Sequence, residues 1–252
     1  MATRKKTRKT TARAKRRDPA LQAVIDDLVA ANRILADQKV LDGYGHVSAR
    51  HPGDASRFLL SRSLAPQLVT AADIMEFDLD SVALNGDTRA PYLERFIHGE
   101  IYRSRPDVVA VVHSHSSSVV PFACSSVRLR PIFHMAAFIG DGSPVFDIKT
   151  RFGSTDMLVR NRDQGAALSA QLGGHSIALM RGHGFVAVGD TIPIAVYRAI
   201  YTQVNAALQQ NAIALGGTIV FLDPDEAALA RTNIEPTIQR PWELWKRSAT
   251  GS

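Results

Sequence analysis

Two histidines separated by one residue close a strongly apolar run of this sequence. His113 and His115 end the segment that begins VVAVVH at residue 108, which is typical of a buried strand. Side chains at i and i+2 of a strand share a face, roughly 6.6 Å apart along the backbone, so both imidazoles can converge on one ion. His183 is the natural third ligand, because the flanking glycines of RGHG (181–184) let the backbone approach closely.

Glu94 precedes the apolar run and could supply a carboxylate to the same pocket. Taken singly, each of these four residues has an ordinary structural explanation, and only the combination indicates a metal. Neutral imidazoles together with a carboxylate suit zinc, manganese or iron(II). The spacing therefore predicts one divalent ion per subunit, with its identity open among these three.

The elements that must position these side chains alternate between helices and strands. The predicted fold is α/β or α+β, without an internal repeat. Helices are predicted from Pro19 to about Asp37 and over 91–103, 116–123, 161–172 and 191–215. Strands are predicted toward Arg50 and over 57–61, 74–79, 108–113, 176–181 and 185–188, with Asn85-Gly86 as a hairpin turn and 129–160 irregular.

The composition limits the classes of protein to which this chain can belong, and one segment, residues 1–17, differs from the rest. The 252 residues are 45% hydrophobic and 21% charged, with one cysteine, so no disulfide can form within a chain and a cytoplasmic location is expected. No apolar run reaches the ~18 residues of a membrane span. The net charge of +6 comes from the tail 1–17, which is basic without acids or aromatic residues. We predict a disordered tail without a specific nucleic-acid function, followed by a catalytic domain over 18–252.

Three segments of the chain together resemble one known family. GHVSAR (45–50), ERFIHGEIYRSRPDVVAVVHSHS (94–116) and RGHG (181–184) are similar to the class II aldolase/adducin family, over about residues 20–222. The resemblance implies an antiparallel-rich sheet sandwiched between helices, assembled as a homotetramer with the active site at a subunit interface. It also implies that His113, His115 and His183 bind the metal and that Glu94 is the acid/base residue.

The residues that hold phosphate in the sugar-phosphate members are replaced here. His46 stands where those enzymes have asparagine, Ser63-Leu64 replaces a Ser-Gly pair, and Tyr92-Leu93 replaces a Ser-Ser pair. Small residues at these places let backbone N–H groups surround the phosphate. The larger side chains disfavour a sugar phosphate as the substrate, and we predict that His46 contacts a different substrate.

The segments FLLSRSLAP (58–66) and FGSTDMLVRNRDQGAALSAQLG (152–173) resemble the aromatic-acid decarboxylase branch of this family. Known activities of that branch include decarboxylation of 3-hydroxy-2-methylpyridine-4,5-dicarboxylate and of 3,4-dihydroxyphthalate. Ser61, Arg62 and Ser63 would then bind a substrate carboxylate, for which a guanidinium is the matched bidentate donor. A surface ion pair is the alternative for Arg62.

The resemblance leads to a functional expectation. We predict non-oxidative decarboxylation of a hydroxylated aromatic or pyridine carboxylate or dicarboxylate, through a metal-bound enolate. Glu94 is the candidate proton donor, with a pKa expected to be raised by apolar surroundings. His134 is a second acid/base candidate or a substrate contact, because the aldolases place a tyrosine from the neighbouring subunit at about that offset. An aldolase acting on a non-phosphorylated hydroxy-keto acid and an iron(II) oxygenase are the alternatives.

Overall fold

The computed structural model describes residues 18–251, so the predicted basic tail and Ser252 lie outside the described part of the chain. The helices are α1 (Pro19–Asp37), α2 (Arg95–Ser104), α3 (Val120–Ala123), α4 (Ile148–Phe152), α5 (Arg162–Leu172), α6 (Ile192–Leu215), α7 (Pro224–Ile234) and α8 (Gln239–Thr250). The strands are β1 (His46–Arg50), β2 (Arg57–Ser61), β3 (Ile74–Asp78), β4 (Ala110–Ser114), β5 (Val145–Phe146), β6 (Ile177–Met180) and β7 (Gly184–Gly189). Short 3-10 turns occupy Pro66–Leu68, His134–Ile139 and Glu235–Thr237.

The seven strands form one sheet in the order β3-β2-β1-β4-β7-β6-β5. Every neighbouring pair is antiparallel except β5 and β6, which run parallel at one edge. The predicted antiparallel-rich sheet is therefore confirmed. Strand β4 lies at the centre between β1 and β7, and all five of its residues are buried, as expected of a strand whose two faces are both covered.

Two apolar layers cover the two faces of the sheet, and the strand residues alternate between them. On β4, Ala110 and Val112 belong to the core layer that contains residues of α1 and α6. Val111 belongs to the other layer, which contains residues of α2 and α5. Because the side-chain period of a strand is two, His113 falls on the same face as Val111 and so points toward α2.

The start of α2 differs from the prediction. A helix was expected from residue 91, but α2 begins at Arg95 with Glu94 as its N-cap residue. Pro91 forms an isolated antiparallel bridge with Arg62, and the Tyr92 hydroxyl donates a hydrogen bond to the Leu64 carbonyl. These contacts hold residues 91–94 outside the helix, as a bridge at Pro91 followed by a turn, so Glu94 lies at the N-terminus of α2 rather than within it.

The chain beyond residue 217 contains helices that the sequence analysis did not predict. Helix α7 has a complete capping box, in which Asp223 and Glu226 each accept the other's backbone N–H. Helix α8 buries Trp242 in the layer shared with α1, and its Lys246 pairs with Asp27 at 2.7 Å. Within residues 18–251, none of the helices combines the length and the hydropathy that a membrane span needs.

Candidate metal centre and the adjoining cavity

Three imidazoles point their Nε2 atoms at one another below the end of β4. The Nε2 atoms of His113 and His115 are 3.0 Å apart, those of His115 and His183 are 3.0 Å apart, and those of His113 and His183 are 3.2 Å apart. Two nitrogens bound to one ion at 2.0–2.1 Å with tetrahedral angles lie roughly 3.3 Å apart. The spacing of the three donors therefore matches one face of such a site.

The backbone brings these histidines together through the pairing of two neighbouring strands. His113 lies in β4 opposite Val186 of β7, and His183 occupies the turn between β6 and β7. Gly184 makes the close approach possible, because a Cβ there would overlap the Ser114 carbonyl and would lie 3.1 Å from the His115 Cα. The turn thus carries His183 over the end of β4.

The remaining ring nitrogens of two of these histidines hydrogen-bond to backbone carbonyls. His113 Nδ1 lies 3.2 Å from the Phe185 oxygen, and His183 Nδ1 lies 2.9 Å from the Met157 oxygen. A carbonyl can only accept, so each Nδ1 carries the proton and each Nε2 presents a lone pair to the centre of the cluster. Such backbone partners orient histidines that bind metals.

Glu94 completes the cluster from the start of α2. Its Oε2 lies 3.5 Å from His113 Nε2 and 3.4 Å from His183 Nε2, while its Oε1 accepts the Val159 N–H at 3.0 Å. The ligand atoms of Glu94 and the three histidines all lie within 4.8 Å of one another. Three converging lone pairs and a carboxylate form a donor set that fits zinc, manganese or iron(II).

The charge state of Glu94 differs from the expected one. Burial raises the pKa of Glu94, but the facing His113 and His183 outweigh burial and hold the pKa below its ordinary value. The expectation of a raised pKa was wrong, because it counted the apolar neighbours and not the imidazoles. Conversely, burial lowers the pKa of His183, but the Glu94 carboxylate outweighs it and leaves the pKa above the ordinary value. Glu94 is therefore an ionised carboxylate at neutral pH.

A cavity of about 340 Å³ opens beside this cluster. Most of its wall is apolar, and its polar side chains are few. Its lining residues are Gly43, Tyr44, Gly45, His46, Ser63, Leu64, Ala65, Tyr92, Leu93, Glu94, His115 and Leu158. A small apolar chamber with a few polar groups beside it is typical of a site for an organic ligand.

The predicted substrate-binding residues are only partly brought to this cavity. His46 and Ser63 line it, whereas Ser61 is buried next to it with its Oγ 3.5 Å from the Tyr92 hydroxyl. Arg62 is not among the lining residues, and its Nε donates to Asp73 Oδ1 at 2.7 Å. Binding of a substrate carboxylate by Arg62 stays a prediction, and this ion pair would have to open first.

The structure does not bring His134 to the metal cluster of its own chain. It begins the 3-10 turn His134–Ile139 and lines a separate small cavity with Tyr197, Arg198 and Glu235. Its predicted acid/base role stays a prediction that requires a neighbouring subunit.

Two buried residues close to the site were not predicted to have a role in it. His98 Nε2 lies 2.6 Å from His46 Nδ1, and the Tyr102 hydroxyl lies 2.7 Å from Ser48 Oγ. The sequence did contain a signal for both, because Glu94, His98 and Tyr102 recur every four residues and so form a polar stripe on one face of a helix. Burial and the neighbouring His113 lower the pKa of His98 to about 3. Burial, His98 and His113 likewise lower the pKa of His46 well below its ordinary value.

Replacement of Gly184 by alanine is expected to disturb the cluster. The new methyl would overlap the Ser114 carbonyl, so β7 must shift from β4 and carry His183 with it. We expect a lower melting temperature and weaker metal binding, measured by calorimetry. Gly174→Ala is the matched control, because nothing lies within 4 Å of a Cβ at that position. Equal metal affinity in the two variants would contradict this account of the turn.

Comparisons with known proteins agree with the fold and identify the family. Residues 26–210 match the model of the class II aldolase and adducin N-terminal domain, and the chain belongs to this family. It is 39% identical over 242 residues to the decarboxylase tropJ of Talaromyces stipitatus, covering 87% of this chain and 91% of that protein. It is 33% identical over 235 residues to the 3,4-dihydroxyphthalate decarboxylase of Arthrobacter keyseri, covering 88% and 93%.

A solved structure gives the same result for the fold. An aldolase II superfamily protein from Pseudomonas syringae superposes with a TM-score of 0.78 at 23% identity, covering 93% of this chain and 94% of that one. Family membership together with relatives named as decarboxylases supports a lyase of the carboxy-lyase class.

Proposed function

We propose that this protein is a metal-dependent, non-oxidative decarboxylase of a hydroxylated aromatic or pyridine carboxylate. The observation that carries the proposal is the apolar cavity of about 340 Å³ that shares Glu94 and His115 with the histidine cluster. A flat ring placed against the apolar wall would present its polar substituents to this cluster. The relatives named as decarboxylases support the same reaction class.

The cavity is poorly suited to a phosphate group. The Leu64, Tyr92 and Leu93 side chains occupy its wall, and the Tyr92 hydroxyl is engaged by the Leu64 carbonyl. Among the described residues that line the cavity, none is lysine or arginine. A doubly charged phosphate would lose its hydration there without gaining a lysine or arginine partner, which is unfavourable. This supports a less charged, planar substrate.

The three histidines would hold a divalent ion, which when bound supplies positive charge that stabilises negative charge developing on the substrate. The proton balance then falls to Glu94. Loss of CO2 breaks the bond between the ring and the carboxylate, leaves the electron pair on the ring carbon, and requires one proton at that carbon. Because Glu94 is ionised, we propose that it first takes the proton of the substrate hydroxyl and then returns this proton to the ring carbon as CO2 leaves, so that the product forms as a phenoxide and takes one proton from water on release.

The backbone holds Glu94 in place for this transfer. The Val159 N–H donates to Oε1 at 3.0 Å, which leaves Oε2 as the atom that faces the cluster. Its place as N-cap residue of α2 adds the positive end of the helix dipole, which favours the ionised form before the substrate arrives.

A substrate screen tests the proposed reaction. The purified protein, freed of metal and reloaded with manganese, zinc or iron(II), is incubated with ortho-hydroxy aromatic and pyridine carboxylates while CO2 release is measured. We expect CO2 release from at least one such acid and none from its ortho-methoxy analogue. Oxygen consumption with iron(II) would instead show an oxygenase, and aldehyde release from a hydroxy-keto acid would show an aldolase.

The assembly is part of the same proposal. We propose a cytoplasmic homo-oligomer, most simply a tetramer, because the family resemblance implies an active site at a subunit interface. His134 would then act in the neighbouring subunit's cavity. Light scattering gives the mass in solution, and a monomer with full activity would remove the proposed role of His134.

A further inference from the structure

Four buried side chains form a continuous hydrogen-bonded row that starts at the substrate cavity. His46 Nδ1 lies 2.6 Å from His98 Nε2, His98 Nδ1 lies 2.6 Å from Ser48 Oγ, and Ser48 Oγ lies 2.7 Å from the Tyr102 hydroxyl. All four residues are at most 3% exposed. The row runs between β1 and the polar stripe of α2, and water has no access to its interior.

Each contact in this row has space for one proton only. A nitrogen pair separated by 2.6 Å cannot contain two N–H groups that face each other. A neutral imidazole donates at one nitrogen and accepts at the other. Only two arrangements therefore place one proton in every contact and also give every hydroxyl proton an acceptor. Either every group donates toward Tyr102, or every group donates toward His46.

The far end of the row favours the first arrangement. The Tyr102 hydroxyl also lies 3.4 Å from the Val109 carbonyl oxygen, which can only accept. When Tyr102 donates to that carbonyl, Ser48 donates to Tyr102, His98 donates to Ser48, and His46 donates to His98. Every proton of the row then has an acceptor inside the protein. The reverse arrangement leaves the Val109 contact unused and turns an N–H of His46 into the cavity.

The near end of the row faces the cavity. His46 lines it, and within residues 18–251 its Nε2 has no hydrogen-bond partner. The ring itself cannot turn, because it packs against Tyr92 at 4.6 Å and against His113 at 5.0 Å between ring centroids. Nε2 is thus the one hydrogen-bonding atom of His46 that is free to contact a bound molecule.

We propose that the row His98–Ser48–Tyr102 fixes His46 as its Nδ1–H tautomer, so that Nε2 offers a lone pair to the cavity and accepts a hydrogen bond from a second ring hydroxyl of the substrate, not the one that Glu94 deprotonates. His46 would then be a specificity-determining residue. A lone pair at this place attracts an O–H group and repels a carboxylate oxygen. The tautomer is a property of the protein without substrate and does not depend on the reaction. The contact with a substrate hydroxyl rests on the proposed function.

The tautomer can be read directly by nitrogen NMR. The full-length protein is labelled with 15N-histidine and loaded with zinc, which is diamagnetic, and the rings are assigned from the signals lost in His46→Asn and His98→Asn. We expect both rings to be neutral and protonated at Nδ1. Protonation of both rings at Nε2, or a doubly protonated ring, would overturn the proposal without any reference to activity.

Tyr102→Phe tests whether the hydrogen-bonded row controls the tautomer of His46. Without the tyrosine oxygen, the Ser48 hydroxyl loses its acceptor and turns to His98 Nδ1, so both rings should convert to the Nε2–H form. KM for an acid with a second ring hydroxyl should then rise roughly threefold to tenfold, the usual effect of one neutral hydrogen bond, with a smaller change in kcat. Bound zinc should be unchanged.

Tyr201→Phe is the matched control, because Tyr201 packs on the opposite face of the sheet with the α1 and α6 layer. It should change neither the tautomers nor KM. Unchanged tautomers in Tyr102→Phe would show that the row does not control His46. Converted tautomers with unchanged KM would remove the substrate hydroxyl contact. A wild-type protein that is inactive on every acid would refute the proposed function and leave the tautomer result standing.

Discussion

Replacement of His115 by alanine should abolish metal binding at the histidine cluster and reduce turnover to background. The change removes one of three Nε2 donors that lie within 3.2 Å of one another, and two imidazoles cannot fill the same face. Loss of a group that merely orients a ligand lowers metal affinity by about 10–100-fold, so loss of a ligand should exceed about 100-fold. Metal content after dialysis and metal titration by calorimetry measure the effect.

His175→Ala is the control for loss of a histidine. His175 is exposed and lies outside the cluster, so its removal should leave both metal content and turnover unchanged. Stoichiometric metal bound to His115→Ala with wild-type affinity would show that the ion lies elsewhere.

Replacement of Glu94 by glutamine should preserve metal binding and slow turnover by about 10²–10⁴-fold, the usual contribution of a general acid or base. The amide oxygen of glutamine can still accept the Val159 N–H, so the side chain should keep its position. The variant lacks the carboxylate that we propose takes up and returns the proton. Turnover with saturating substrate, together with metal content, separates the chemical step from binding.

Glu100→Gln is the matched control for Glu94. Glu100 is also a buried carboxylate of α2, but it pairs with Arg162 at 2.8 Å and is not part of the metal cluster. We expect this control to lower the melting temperature and to leave turnover within a few-fold of wild type, because it weakens only the ion pairs of Glu100 with Arg162 and Arg103. Loss of metal from Glu94→Gln would identify Glu94 as a ligand and exclude it as the group that transfers the proton.

Local sequence patterns were sufficient to predict a helix or strand when the residues within it determine where it begins and ends. Helix α1 was predicted from Asp18-Pro19, and in the structure Asp18 caps it by accepting the Ala20 N–H. Strand β2 spans the predicted residues 57–61. The convergence of His113 and His115 was also predicted from the strand period, which is a local property, whereas His183 was added from its glycine-flanked turn and from the family resemblance.

Features that depend on distant contacts were not predictable in this way. Residues 91–94 lie outside α2 because Arg62 and Leu64, about thirty residues away, bind Pro91 and Tyr92. The low pKa of Glu94 depends on imidazoles contributed by β4 and by the β6–β7 turn. Arg62 could be placed in the substrate loop by sequence, but its pairing with Asp73 emerges only once β2 and β3 are adjacent.

The pairing of β4 with β7 also has a consequence for the kinetics of folding. It joins ligand atoms of residues that are 68 and 70 positions apart in the chain. Closing such a long loop costs conformational entropy, so we expect the arrangement of the three histidines to form late in folding. An ion that binds only the native state should therefore leave the refolding rate nearly unchanged and should slow global unfolding. Bound metal would then increase the kinetic stability of the protein.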